Sequence, residues 1–279
     1  MQLGGSMRKQ LAHLVMIGAG NMAEALLRGI LGDPRPIARS ITVTDIRRDR
    51  LDELALRYPV HTSESNRQAV GNAEVVILAV KPQNVSEVLA DLSGVMPPDT
   101  VIISLIAGLR TESIESRLGG CPHVVRAMPN TPALVGAGVA ALCSGRWASS
   151  EDLERADQIF LSVGQTVRVE ESLMDAVTAV SGSGPAYVCV LVEAMLDAAR
   201  RMGLSREVAR TLTLATIEGT VRMLAETGLD PAEARARVTS KGGTTESAIR
   251  VLCDRAVPES ILSAMEAACA RSKELSGKA

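Results

Sequence analysis

Two hydrophobic rhythms divide the chain. Over its first ~170 residues, short apolar runs alternate with stretches whose apolar positions recur at helical spacing, the pattern of βαβ units. His13 to Ile17 (HLVMI), Ile41 to Asp45 (ITVTD), Glu74 to Val80 (EVVILAV), Thr100 to Ser104 (TVIIS) and His123 to Arg126 read as strands, with a short apolar piece at Pro59 to His61. Val139 to Leu142 and Thr166 to Val169 extend the sheet. The run from Glu74 to Val80 is continuously apolar, as a central parallel strand buried on both faces requires. Asn21 to Leu31 and Arg47 to Arg57 read as helices.

From Leu173 the strand-like alternation stops and long helical patterns take over. Pro185 to Met202 is rich in Ala, Val, Leu and Met. Ser205 is placed to cap a helix reaching Thr227, with Glu207 in its first turn. Asp230 and Pro231 pair a cap with a proline at the first helical position. Helices over Thr245 to Leu252 and Pro258 to Leu275 complete the set. The rhythm therefore predicts an N-terminal tail over 1–12, an α/β Rossmann-type domain with a mostly parallel sheet over 13–171, and an all-α domain over 172–279. The helix from Pro185 carries few charges and is apolar nearly all round, so it needs burial. A domain of ~110 residues has limited interior to hide it, and a homodimer through this domain is expected; the alternative is a central helix inside a monomer.

Composition narrows the chemistry. One Trp, two Tyr and one Phe leave an aliphatic core. The net charge of -2 and the lack of stacking aromatics argue against nucleic acid. No apolar run is read as reaching transmembrane length, and the polar N-terminus lacks the apolar core of a signal peptide, so no membrane partner is expected and the location expected is cytoplasmic. Five cysteines without a CxxC pair and three scattered histidines point to buried free thiols in a reducing compartment and to no metal site.

Two kinds of segment look chemical. Gly18-Ala19-Gly20-Asn21-Met22-Ala23 has the form GxGxxA directly after a strand and at a helix start: Gly18 for the tight turn, Gly20 for backbone approach to a pyrophosphate, Ala23 for close helix packing. Asp45, at the end of the next strand, suits the ribose 2′-hydroxyl of NAD, whereas Arg47 and Arg48 suit the 2′-phosphate of NADP; both readings stay open. Ala79, Val80, Lys81 and Pro82 lie at the carboxyl end of the buried strand, where ligands of open α/β sheets gather. Farther on, Ser181-Gly182-Ser183-Gly184-Pro185 leads into the apolar helix, with Pro185 suited to its first turn. Ser240-Lys241-Gly242-Gly243-Thr244-Thr245 joins two helices as a nest of N–H and O–H donors suited to a carboxylate. A plain capping turn explains one threonine but not the whole set.

With these pieces in order, the chain resembles the pyrroline-5-carboxylate reductase family. The resemblance rests on IGAGNMAEALLRG at Ile17 to Gly29, AVKPQ at Ala79 to Gln83, RAMPNTPALVGAG at Arg126 to Gly138, DAVTAVSGSGPAY at Asp175 to Tyr187 and VTSKGGTTESAI at Val238 to Ile249. It implies reduction of L-1-pyrroline-5-carboxylate to L-proline with NADPH or NADH. It also implies further cofactor contacts at Asn66, Val80, Lys81 and Ala107, and a substrate pocket with Glu171, Ser240, Gly243, Thr244 and Thr245. It implies a helical dimerisation domain, with dimers that often assemble into larger rings. Lys241 stands where many relatives have proline. The expected division of labour puts the substrate carboxylate on Ser240, Gly243 and Thr244 and the ring nitrogen on the Thr245 hydroxyl, with Lys81 as the second candidate catalytic group and no histidine acid. Two other readings are an imine or 2-hydroxyacid oxidoreductase of similar architecture and a non-catalytic dinucleotide sensor. Hydroxyacid enzymes generally use a lysine on a second-domain helix, which the long helix here lacks. A sensor has no need of the SKGGTT turn.

Overall fold

The computed structural model describes residues 10–276. The strands and helices run β1 (Leu11–Ile17), α1 (Asn21–Gly32), β2 (Ala38–Thr44), α2 (Arg48–Arg57), β3 (His61–Ser63), α3 (Asn66–Ala69), β4 (Val75–Leu78), α4 (Val85–Leu92), β5 (Val101–Ser104), α5 (Thr111–Leu118), β6 (His123–Met128), β7 (Gly138–Ser144), α6 (Ser150–Leu161) and β8 (Gly164–Arg168). Helices α7 (Met174–Val177), α8 (Gly184–Arg201), α9 (Arg206–Thr227), α10 (Pro231–Arg237), α11 (Thr244–Asp254) and α12 (Val257–Ser276) follow. Of the tail expected over 1–12, residues 1–9 lie outside the described residues, while Leu11 and Ala12 already belong to β1.

All eight strands form one sheet in the order β3-β2-β1-β4-β5-β6-β7-β8. It is parallel except where β7 runs against β6. Alternate residues of β1 feed different cores. Leu14 and Met16 join Leu26, Leu27 and Phe160 on one face, while Val15 and Ile17 join Leu89, Leu92 and Ile114 on the other. That two-sided burial explains why β4 reads as an unbroken apolar run. The apolar piece expected at Pro59 to His61 is displaced: Tyr58 ends α2 and β3 begins only at His61, because Pro59 has no N–H to give a ladder. Helices α3, α4, α5 and α6 lie outside the expected set, although the capping box of α6, Ser149 with Asp152, is a readable start signal.

Contacts divide the described chain into two compact units. One comprises the residues up to Ser183 together with those from Ala268 onward; the other is Gly184 to Ala267. The contact grouping thus changes at 183/184, and the end of α12 is grouped with the first unit. The helix starts of the second unit follow the expected capping: the Ser205 side chain accepts from the Val208 N–H, and the Asp230 side chain from those of Ala232 and Glu233. Pro185 lies in the first turn of α8, as expected. The segment ahead of α8 is a wide helical turn over Thr178–Gly182, with the Ser183 N–H donating to the Thr178 carbonyl at 2.8 Å. The missing N–H of Pro185 costs α8 nothing, because first-turn amides have no partner within the helix.

Two compositional expectations need correction. The helical stretch Glu171–Arg201 is long and apolar enough to cross a membrane by length and composition, and little of it is buried; periodicity had hidden this because glycines and serines interrupt the apolar residues. The five cysteines are free, but of these Cys143 alone is buried, while Cys121, Cys189 and Cys253 are exposed. Burial pushes the Cys143 thiol up to about 12, with the nearby Glu171 charge adding to the effect.

Candidate functional site

The sheet reverses its winding between β1 and β4, and the loops after both strands border the crevice outside their carboxyl ends. Backbone bonds stitch these loops together. The Gly18 N–H donates to the Thr44 carbonyl at 2.7 Å, the Ala79 N–H to that of Ile17 at 2.8 Å, and the Leu105 N–H to that of Leu78 at 3.0 Å. The expected residues Gly18 to Ala23, Asp45, Arg47, Asn66, Ala79 to Pro82 and Ala107 therefore all sit on loops and helix starts along one edge of one sheet.

Two glycines in the first loop do different work. Gly18 holds φ +100, and a Cβ there would lie 2.7 Å from the Ala79 carbonyl oxygen. Only glycine permits that turn. Around Gly20 a Cβ would meet nothing within 4 Å. Gly20 caps α1 without a side-chain acceptor for the first-turn amides. Open space in front of uncapped N–H groups at the positive end of a helix suits the pyrophosphate of a dinucleotide.

Ala19 between them is clamped from both sides. Its N–H donates to Asp45 Oδ2 at 2.8 Å, and its carbonyl accepts from Arg50 Nε at 2.9 Å. Arg50 is itself paired with Glu24 of α1 and with Glu53. Sequence reasoning missed Arg50, whose position in α2 carries no motif. The Asp45 carboxylate also accepts from the Arg47 N–H at 2.9 Å and from Arg47 Nε at 3.1 Å. Burial pulls its pKa upward, but these bonds from Arg47 and Ala19 outweigh burial and hold it below the usual carboxylate value. Arg48 is exposed and lies 3.5 Å from Glu64. Asn66 accepts from the Thr44 hydroxyl at 2.7 Å and donates to Asp91 at 3.1 Å. Lys81 and Ala107 are exposed.

Glu171 belongs to the sheet unit, where both its oxygens are in use. They accept from the Thr111 N–H and the Thr111 hydroxyl, each at 2.8 Å, so that Glu171 caps α5. Arg126 Nη1 lies 3.4 Å from Glu171 Oε1; this guanidinium is almost wholly buried, and its Nη2 has no protein partner. The signal for Arg126 was its place in the RAMPNTP stretch, which named no role for it.

The turn carrying Ser240 and Gly242 to Thr245 belongs to the helical unit. Gly242 holds φ +75, and its N–H donates to Glu246 Oε2 at 2.7 Å. Gly243 caps α11 without a side-chain acceptor, and its own N–H donates to the Ser240 carbonyl at 3.0 Å. The amides of Thr244 and Thr245 thus face outward from a helix start with no side-chain cap, the arrangement that receives a carboxylate. Thr244 is exposed and Thr245 half-buried.

A family model described as pyrroline-5-carboxylate reductase dimerisation matches residues 171–275, and one described as NADP oxidoreductase coenzyme F420-dependent matches residues 13–108. A pyrroline-5-carboxylate reductase of Synechocystis sp. is 41% identical over 268 residues, covering 95% of this chain and 99% of the relative. One from Pseudomonas aeruginosa is 41% identical over 264 residues, covering 94% and 96%. Among solved structures, a pyrroline-5-carboxylate reductase from Coxiella burnetii is similar with a TM-score of 0.86 and 39% identity, covering 95% of this chain and 98% of that one. A Plasmodium falciparum pyrroline carboxylate reductase with NADP bound has a TM-score of 0.86 at 30% identity, with the same coverage.

Proposed function

The chain belongs to the pyrroline-5-carboxylate reductase family, and from that membership we propose that it reduces L-1-pyrroline-5-carboxylate to L-proline with NADPH or NADH, the last step of proline biosynthesis. The observation that carries the reading is the cradle at Gly20: open space before an uncapped helix start, at the switch point of the sheet. These residues fit a dinucleotide pyrophosphate, with Gly18 to Ala23 holding it. Asn66, Ala79, Val80, Lys81, Pro82 and Ala107 would border the rest of the cofactor. Asp45 acts mainly by fixing Ala19, while Arg47 and Arg48 would hold a 2′-phosphate.

When bound, the reduced nicotinamide supplies the hydride. The chain's own task is to hold a small anionic ring and its proton. Ser240 and the Thr244 amide receive the carboxylate, while Gly243, whose N–H already donates to the Ser240 carbonyl, caps the helix start. The Gly242 N–H, already taken by Glu246, shapes the turn instead. The Thr245 hydroxyl bonds the ring nitrogen and keeps its proton in place. Lys81 adds positive charge at the crevice. Fixing the imine at attack distance supplies much of the rate. Glu171, with both oxygens engaged, contributes by ordering α5 and Arg126 within the sheet unit.

A second copy of this chain covers the exposed apolar face of α8, where Val188, Val190 and Leu191 stand 49%, 65% and 53% exposed. Glu193, Asp197, Arg200 and Arg201 on the same helix favour a protein partner over lipid. Five free thiols fit a reducing cytoplasm. The test is oxidation of NADPH and of NADH with and without pyrroline-5-carboxylate. Substrate-dependent oxidation with proline as product is expected; cofactor binding without turnover would identify a sensor instead.

A further inference from the structure

The loop after β5 carries Ala107 at the crevice, yet it is fastened by residues remote in sequence that the cofactor reading leaves without a role. Beyond its C-terminal flank, Glu171 grips Thr111 through both oxygens. In its middle, Gly108 is buried at φ +76, and a Cβ there would lie 3.3 Å from the carbonyl carbon and the Cβ of Leu275. The loop backbone therefore lies directly against the last turn of α12. That turn is itself tied down. The Ser272 hydroxyl donates to Asp175 Oδ1 at 2.6 Å, and the Ser276 hydroxyl shares its one proton between the Ser272 carbonyl at 3.0 Å and Asp175 Oδ1 at 3.2 Å. The two serines are 5% and 7% exposed on a helix that is otherwise largely solvent-facing. A buried hydroxyl costs free energy unless it is bonded, and two of them one turn apart converge on one carboxylate. All these residues lie in the same compact unit.

We propose that the end of α12, held on Asp175 by Ser272 and Ser276, is a positioning device for the β5–α5 loop: it sets Gly108, and with it Ala107, for contact with the dinucleotide. Cofactor affinity then depends on a contact made close to the C-terminal end of the chain. The inference rests on the reading above that this loop borders the cofactor. Hydrogen bonds to a carboxylate are among the stronger ones in proteins, and a crevice loop released from its support loses pre-organisation that the cofactor must restore on binding.

The experiment uses the full-length protein with Ser272→Ala/Ser276→Ala, Asp175→Ala and Asp175→Asn. Nicotinamide fluorescence gives the NADPH and NADH dissociation constants. Steady-state kinetics gives the substrate KM, and hydrogen exchange reports on Ala107 to Leu109. The alanine variants are expected to bind cofactor about tenfold more weakly, the scale of one charge-assisted bond. Exchange in the loop should be faster and the substrate KM unchanged. Asp175→Asn, whose amide oxygen still accepts both hydroxyls, should rescue the affinity. Should the double variant fail to fold, Ser272→Ala alone, which loses the shorter bond, carries the test. Unchanged cofactor affinity in the alanine variants overturns the proposal, whether or not the loop exchanges faster. So does an Asp175→Asn protein as weak as Asp175→Ala, because charge rather than position would then be responsible. Wild-type protein that takes up neither cofactor overturns the cofactor reading itself, an outcome distinct from normal uptake that the variants leave untouched.

Discussion

The sheet unit and the helical unit solve the problem of burial differently. In the first, both faces of the sheet are covered within the chain, and side chains such as Leu14, Met16, Ile77, Leu78 and Phe160 are removed from solvent. In the second, from Gly184 to Ala267, the buried residues are Ala199, Ala209, Thr213 and Ala234, none of them large. Leu212, Leu214, Val221, Leu252, Ile261 and Leu262 stay exposed. A soluble monomer rarely displays so much apolar surface. The contrast teaches that one unit is complete as a single chain, while the other is written for a partner, in keeping with the dimerisation family model that covers it.

The strongest way to break this comparison is to charge the open helix. Val190→Asp with Leu191→Asp should leave an unpaired charge wherever a second copy covers α8, at a cost of several kcal/mol. We expect loss of the dimer in light scattering and a fall in turnover of more than about 100-fold, with cofactor binding by the sheet unit retained. A variant that stays dimeric and active would show that the face is not covered.

Next in size are the two glycines of the first loop, which separate strain from occupancy. Gly18→Val places its Cβ against the Ala79 carbonyl at a left-handed φ. It should lower stability by about 2–4 kcal/mol in denaturant titration and abolish cofactor binding. Gly20→Val enters open space, so its melting temperature should match wild type while the NADPH dissociation constant rises more than about tenfold. Equal affinity in Gly20→Val would remove the pyrophosphate from this loop.

On the helical side, Thr245→Ala should reduce turnover about 10- to 100-fold, the scale of one hydrogen bond to a charged group lost in the transition state, with the cofactor dissociation constant unchanged. Wild-type kinetics would refute the role. The smallest expected effect concerns pH. Asp45 has a folded pKa below its ordinary value, so its support of Ala19 is fully present above the unfolded value of about 3.9. That support is lost as pH falls through the lowered folded value. Cofactor affinity should therefore show no Asp45 limb between neutrality and about pH 5 and decline only at the acid end. In an Asp45→Asn variant that acid decline should disappear; a limb that survives the substitution belongs to another group.

Much of the fold was legible because it is written locally. Alternation and continuous apolar runs marked the strands β1, β2 and β4 to β8, and capping chemistry at Ser205 and Asp230 marked helix starts that occur where expected. The Gly18 to Ala23 segment announced itself by a glycine pattern whose physical need, a turn without Cβ, is also local. The site was legible only in outline. Asp45 could be placed beside the glycine loop, but not its bond to the Ala19 N–H. Glu171 entered as a pocket residue and is engaged in capping α5. Arg50, Arg126, Asp175, Ser272 and Ser276 carried no signal of their roles, since an arginine on a helix or a serine near a chain end is by default solvated.

The amino-acid sequence alone determined the two rhythms, the strand that ends in the dinucleotide turn, and the helices whose apolar surface exceeds what their own unit can bury. Periodicity and capping act over a few residues, so they are present in the chain before it folds. Tertiary structure alone decided which polar groups meet: Arg50 with Ala19, Glu171 with Thr111, Ser272 with Asp175. Such pairings join residues 31, 60 and 97 positions apart, and a hydrogen bond selects its partner by distance and direction in space, which no local pattern records.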